Sequence, residues 1–570
     1  MAISLSSELL SQPQQWQLLL LLALVSLVLF TRRLSNKGLK LPPGPARVPI
    51  LGDLHQLGVL PHRSLRDLAR KHGPVMQLQL GTVRTVVVSS AEAAREVMKM
   101  HDEDCCTRPV SPGMKRLSYG LKNVCFAPYG AYWHAMRKFF VVELFGRAPC
   151  RGSMAFMPAS DRSPRAYSLL CLQLRNGGRS GSTDAHISAT DSCDCFFRHP
   201  VNFECGLHWL AGKLVKQYRE NKVEKLMSTL SGLAGEPVAL KEHILSLADG
   251  IIDMLGFGEM YNSDKFPHHK NLGHVLEEAI HVQASFSAED YFPNIIGRLV
   301  DQITGLASRR ERIFKQLDTF FEIIIEQHLD PQRVEPRNGD LVDHLIDLWK
   351  DNSGTLNITR DHVKGNIFGT FIGGSDTTSA TILWAMAELI RNPRLLERVQ
   401  EEISAVVGDN ERVRPDDLAK LVYLKMVVKE TLRLHPPATM LLPREAMRDI
   451  RIGGYDVLAK TRIYVNVWAI GRDPASWPDE PEEFKLERFE TSEIDFKGGH
   501  FELIPFGAGR RICPALSMST ATMEFTLANL LYSFKWALPE GIVVSMEEEG
   551  KLIPLLKTPL FLVPTPYRHI

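Results

Sequence analysis

Near its C-terminus the chain reads Pro505-Phe506-Gly507-Ala508-Gly509-Arg510-Arg511-Ile512-Cys513-Pro514. A lone buried cysteine is ordinarily a small core residue. The surroundings reverse that reading. Gly507 and Gly509 allow a tight turn and a close backbone approach to a flat ligand. Cys513 opens an apolar helix expected from Ala515 to about Tyr532. A helix N-terminus with Arg510 and Arg511 alongside favours thiolate over thiol, and a thiolate so presented is a metal ligand.

Three further clusters carry chemistry. Glu430-Thr431-Leu432-Arg433 places two charges at i and i+3 on one helix face. Isolated, such a pair is a solvated surface feature worth a fraction of a kcal/mol. Here the helix is apolar on both sides and runs into His435-Pro436-Pro437, and Arg488 follows in Phe484-Lys485-Leu486-Glu487-Arg488-Phe489. A buried Glu430–Arg433–Arg488 network bracing the cysteine loop is expected, with an architectural role. Gly373-Gly374-Ser375-Asp376-Thr377-Thr378 lies midway along a long helical pattern. Two glycines there cost about 1 kcal/mol each against alanine, and the threonines can bond backwards to carbonyls. The bland reading is a helix kink; the sharper one is a dioxygen pocket with Asp376 and Thr377 relaying protons. Trp133-x-x-x-Arg137 sits one helical turn apart. Beside a heme, an indole N–H and a guanidinium are good partners for a propionate, and a thiolate beneath it pushes electron density to iron and favours O–O cleavage.

The elements that must position these residues are mostly helical. Asp361 to Ile390 reads as one helix and Leu424 to Leu434 as another, stopped by the prolines. Val75 to Leu80 and Thr85 to Ser89 read as strands, Ala91 to Met100 as a helix, and Asp449 to Asn466 as a small β-region. From about Gly146 to Trp209 the chain carries scattered Ser, Arg, Gly and Cys without period, a stretch foreign to a compact domain. Translated non-coding sequence or a disordered functional insertion would both look like this. Cys193, Cys195 and His199 lack the ligand spacing of a metal site.

At the N-terminus, Trp16 to Phe30 is apolar and is followed by Arg32, Arg33, Lys37 and Lys40. Fifteen helical residues reach roughly 22 Å, so Leu9, Leu10 and the flanks must help to span a ~30 Å hydrocarbon core. With the charge after the apolar run and no small-x-small site, a signal anchor over residues 1–40 is expected rather than a cleaved leader, with the remainder cytosolic. Leu41-Pro42-Pro43-Gly44-Pro45 is a stiff hinge into a catalytic domain over 41–570. A net charge of +1 points away from nucleic acid, and nine cysteines in 570 residues are too sparse for a disulfide scaffold.

The four clusters, in this order, resemble cytochrome P450, over nearly the whole chain from Pro42 onward except the irregular segment. The resemblance implies a mainly α (α+β) body with a small β-region and heme b as cofactor. It further implies dioxygen, and electrons from NADPH through NADPH-cytochrome P450 reductase. A lipid membrane, that of the endoplasmic reticulum, and a small lipophilic substrate complete the implied partners. Within the family the chain is similar to plant microsomal A-type enzymes. That similarity implies axial ligation by Cys513 and oxygen activation by Asp376 and Thr377. Trp133, Arg137, Arg444 and Arg511, with Arg108, would hold the propionates. Ser111 to Phe126, Phe368 to Gly373, Ala438 to Leu442 and Leu552 to Leu555 would face substrate. Asp104-Cys105-Cys106, Arg116 to Asn123 and Ala284 to Asp290 look like grass oxime-metabolising enzymes of cyanogenic glucoside synthesis.

Three departures stand out: Ala515 where the family has glycine, Leu486 where it has proline, and the irregular segment after Glu143-Leu144-Phe145. Two alternatives stand beside a monooxygenase: an oxygen-independent heme dehydratase or isomerase and, because of the irregular segment, a catalytically inactive relative.

Overall fold

The computed structural model describes residues 38–145, 208–258, 269–333, 339–351 and 357–567. The expected anchor and nearly all of the irregular segment lie outside the described residues. His208 and Trp209, placed in that segment by sequence, instead begin a helix, His208–Ser231. Among the described residues no helix is long and apolar enough to cross a membrane.

The organising element is a helix of 32 residues, Arg360–Arg391, about 48 Å long at 1.5 Å per residue. Thr359 starts it with a capping box closed by His362, and Asn392 ends it before Pro393, whose ring disfavours helix at the preceding residue. The helix is apolar on nearly every side, as a helix buried all round must be. Helices Leu240–Phe257, Leu341–Lys350, Val422–Leu434 and Leu516–Ser533 pack around it. A Cβ on Gly374 would sit 2.4 Å from the Ile252 side chain, so the missing side chain is what lets Leu240–Phe257 lie so close.

Two apolar cores flank this helix. Its first half gives Val363, Ile367, Phe368 and Phe371 to a core around Phe314 and Phe321. Its second half gives Ala380 to Leu389 to a core around Leu424, Leu432 and Leu531. Gly373 to Thr377 fall between the two, where the packing parts.

The β-region is a four-stranded sheet in the order β1 (Val75–Leu80), β2 (Val83–Val88), β7 (Arg462–Val465), β4 (Arg444–Glu445). β1 and β2 form a hairpin, and β2 pairs parallel with β7, Thr85 opposite Arg462. β4 runs antiparallel to β7 and delivers Arg444 from the edge of the sheet. β5 (Ile450–Ile452) and β6 (Tyr455–Val457) make a separate hairpin. β3 (Val238–Ala239), β9 (Phe561–Pro566) and β8 (Phe534–Ala537) form a third sheet that draws the C-terminus back onto the helices.

Candidate active site

The cysteine loop closes on itself. The Cys513 N–H donates to the Phe506 carbonyl at 2.9 Å, and Gly507 and Gly509 adopt φ of +73° and +67°. Gly509 also permits a close approach, since a Cβ there would meet the Met98 carbonyl oxygen at 2.2 Å and an Asp102 carboxylate oxygen at 2.7 Å. The helix Leu516–Ser533 follows, one residue later than expected. Burial pushes the Cys513 thiol up to about 11, offset in part by the Ala515 N–H and by Arg137. This corrects the expectation that Arg510 and Arg511 hold it as a thiolate. Arg510 turns instead to Asp102, its N–H 2.8 Å from Oδ2, and Arg511 turns to backbone carbonyls. A coordinated metal would deprotonate this thiol outright.

Five residues expected to hold propionates converge on this loop. Arg511 donates to the Cys106 and Ala127 carbonyls at 2.7 Å each, its guanidinium 4.2 Å over the ring of Trp133. Trp133 Nε1 donates to the Val124 carbonyl at 3.1 Å, so its N–H is already engaged by backbone. Arg108 donates to the carbonyls of Cys125 at 3.1 Å and of Leu442 and Pro443 at 2.8 Å. Arg444 pairs with Asp102 at 2.7 Å and donates to the Ala508 carbonyl at 2.9 Å. Among the described residues no carboxylate pairs with Arg108, Arg137 or Arg511. Burial, then mutual repulsion with neighbouring guanidiniums, holds Arg108 well below its ordinary value. Arg511 is brought to about 10, by burial first and by repulsion from Arg444 and Arg137 against the pull of the cysteine thiols. Buried cations left this way are costly unless a counter-charge arrives.

Val124 joins the clusters. Its N–H donates at 3.0 Å to Asn366 of the central helix, and its carbonyl also accepts from Arg511 Nη1 at 3.4 Å. Above Asn366 the helix surface opens. Gly373 is exposed and meets nothing within 4 Å where a Cβ would point. Thr377, one turn on, donates to the Gly373 carbonyl at 2.9 Å. Residues 511–518 are likewise only half-buried. A half-buried cysteine loop beside guanidiniums that meet no carboxylate suits an anionic ligand carrying a metal. In such a site Cys513 would hold the metal, and Arg108, Arg137 and Arg511 would meet the two acidic groups.

Asp376 and Thr377 do not face the same way. Successive helical residues turn by about 100°, and Asp376 lines a cavity of about 230 Å³ on the far side of the helix, with Phe371, Ile372 and Ser375. Burial, then the charges of Asp249 and Glu277, raise its carboxyl to about 6. Of the stretches expected to face substrate, Phe371, Ile372, Leu552, Ile553 and Leu555 border this cavity. Residues 111–126 pack on the central helix through Asn366, and the Leu441 side chain lies beside Gly507.

The Glu430–Arg433–Arg488 network is present. Glu430 and Arg433 are fully enclosed and joined by two bonds of 2.7 Å, and Arg488 Nε reaches Glu430 at 3.1 Å. Its other partners are the carbonyls of Gly471, Pro481 and Glu483, so what it pins directly is the passage before the cysteine loop. Asp102 is the residue that sequence reading missed. It sits under Gly509 and receives Arg444 and Arg510. One acidic residue in His101-Asp102-Glu103-Asp104 gives no local sign of that role.

The family model for Cytochrome P450 matches residues 42–165 and 207–564, leaving 166–206 unmatched. The 4-hydroxyphenylacetaldehyde oxime monooxygenase of Sorghum bicolor is 51% identical, over 98% of this chain and 97% of its own. The 2-methylbutanal oxime monooxygenase of Manihot esculenta is 39% identical over 98% of both. A zebra fish cytochrome P450 solved with progesterone superposes with a TM-score of 0.67 at 23% identity, covering 89% of this chain and 99% of that one, a likeness of fold. With its cysteine loop, its enclosed Glu-Arg pair and these matches along its length, the chain belongs to the cytochrome P450 family, whose members are heme-dependent monooxygenases.

Proposed function

We propose that this chain is a membrane-bound monooxygenase of a small lipophilic aldoxime, with Cys513 as iron ligand. Trp133, Arg108, Arg137, Arg444 and Arg511 surround the propionates, and Asp376 and Thr377 move protons. The observation that carries the site is that Arg108, buried, and Arg137 and Arg511, half-buried, meet no carboxylate around the cysteine loop. The aldoxime rests on the two oxime-acting relatives. When bound, the heme supplies oxygen activation with electrons drawn from NADPH through a reductase. The chain's own part is to hold the heme acid groups with its guanidiniums and to supply protons from the Asp376 side of the central helix.

A membrane partner is supported by the helix Ile295–Ile303, which exposes Ile295, Ile296, Leu299 and Ile303. It follows Tyr291, whose carbonyl accepts from Thr82 N–H at 2.9 Å. Gly81 N–H in turn meets the Leu51 carbonyl, so exposed Ile50 and Leu51 belong to the same side as this helix. The apolar N-terminal segment would add an anchor in the membrane of the endoplasmic reticulum.

The test is a reduced, CO-bound spectrum of the full chain, followed by turnover of aldoximes with reductase, NADPH and isotopically labelled dioxygen. Label in the product supports the reading. Turnover without reductase and under anaerobic conditions would replace it with a dehydratase or isomerase. A thiolate-type band only after removal of 146–207 would make the irregular segment the reason that the intact chain is inactive.

A further inference from the structure

The cavity behind the central helix holds more charge than a substrate pocket needs. Asp249 and Asp253 stand one turn apart on Leu240–Phe257, and both border it with Asp376. Asp249 is open to the cavity, and its carboxyl lies close enough to the Ser375 hydroxyl to interact with it. The volume of about 230 Å³ far exceeds the roughly 10–15 Å³ that one water needs. The other charged groups facing it are Lys241, Glu277, His281 and Lys551, and Lys222 lies behind, against Gly250 and near Asp253.

Monooxygenation leaves one atom of dioxygen in the product and the other in water, and so takes up protons at each turnover. The electrons come from NADPH, which the known activity supplies. We propose that Asp249 is a relay residue of this enzyme, taking protons from water in the cavity and passing them across that water to Asp376. In each transfer the O–H bond of the Asp249 carboxylic acid breaks, a cavity water carries the proton, and a new O–H bond forms on the Asp376 carboxylate. Asp249 is then reprotonated from solvent. Desolvation by the surrounding protein raises both carboxyls above the ordinary range, that of Asp376 to about 6. The inference rests on the reading of Asp376 and Thr377 as the proton pair.

The experiment compares Asp249→Asn, Asp249→Glu, Ser375→Ala and Asp376→Asn in the full chain with reductase in lipid. Asp249→Asn is expected to lower product formed per NADPH by about fivefold, less than the 10²–10⁴ of a direct acid. Released peroxide and the solvent isotope effect should rise with it, and Asp249→Glu should recover most of the loss. Independently of turnover, isotope-edited infrared titration should show a carboxyl band that vanishes in Asp249→Asn. In Ser375→Ala that band should titrate at higher pH, because the hydroxyl that favours the ionised form is gone. If Asp376→Asn uncouples turnover and Asp249→Asn does not, the relay is wrong and the proton pair stands. If Asp376→Asn has no effect, the pair itself fails. A Ser375→Ala band that does not move would also overturn the relay, even where Asp249→Asn does not fold.

Discussion

The guanidinium of Arg511 lies 4.2 Å over the ring of Trp133, and the Val124 carbonyl accepts from both side chains. The cysteine loop and the Trp133 helix are thus held by one backbone oxygen and one stacked face. Arg511→Ala should reduce the heme retained through purification roughly tenfold, through loss of a charge-assisted anchor. Arg511→Lys should restore little, because an ammonium cannot reproduce a planar stack with several donors. The heme-to-protein ratio measures both. Full retention in Arg511→Ala would remove Arg511 from the propionate set.

Glu430→Gln should destabilise the protein by about 3–5 kcal/mol, the cost of leaving a buried charge unpaired. Arg433 keeps its carbonyl partners but loses its counter-ion, and the single amide oxygen cannot serve both Arg433 Nε and the donors now on Oε1, Arg433 Nη2, Arg488 Nε and the Lys485 N–H. Denaturant unfolding gives the magnitude. A change below about 1 kcal/mol would mean that the pair behaves as a solvated one.

Cys513→Ser should abolish the thiolate-type CO band while leaving the fold intact, since the loop closes through the residue's backbone N–H. Unchanged circular dichroism with the band lost is the expected pair of results. A retained band would assign the ligand elsewhere.

Stability should fall as pH rises through the neutral range. Burial, then repulsion from Asp249, raises Asp253 from 3.8 to about 8, against the pull of Lys222; Asp376 rises from 3.8 to about 6. Both folded values lie above the unfolded ones. The stability tied to each group is therefore fully present below the unfolded value, and is lost as pH rises through about 6 for Asp376 and about 8 for Asp253. Asp253→Asn should remove the upper part of this loss, gaining on the order of a few kcal/mol at about pH 9 and nothing at low pH. Thermal melts across that range read it directly. Parallel curves for variant and parent would show that Asp253 is not buried in its neutral form.

Local chemistry was legible in the sequence; long-range partners were not. The turn glycines, the Glu-Arg spacing and the 32-residue helix follow from period, caps and breakers, and the helix runs within one residue of its expected limits. Arg510 was expected at the thiol because it neighbours Cys513 in sequence, whereas the chain brings Asp102 to it from far upstream. Asp376 and Thr377, adjacent in sequence, diverge because a helix turns between them. The parallel pairing of β2 with β7 is a non-local contact that no short pattern encodes.

Val124 binds Asn366 on one side and Arg511 on the other. On a ribosome those three residues emerge at widely separated times, and the cysteine loop comes almost last. The pocket therefore cannot be complete until residues from all three regions of the chain have been made. A truncation anywhere before residue 513 removes Cys513 and, with it, the helix Leu516–Ser533 that fills the core around Leu424, Leu432 and Leu531.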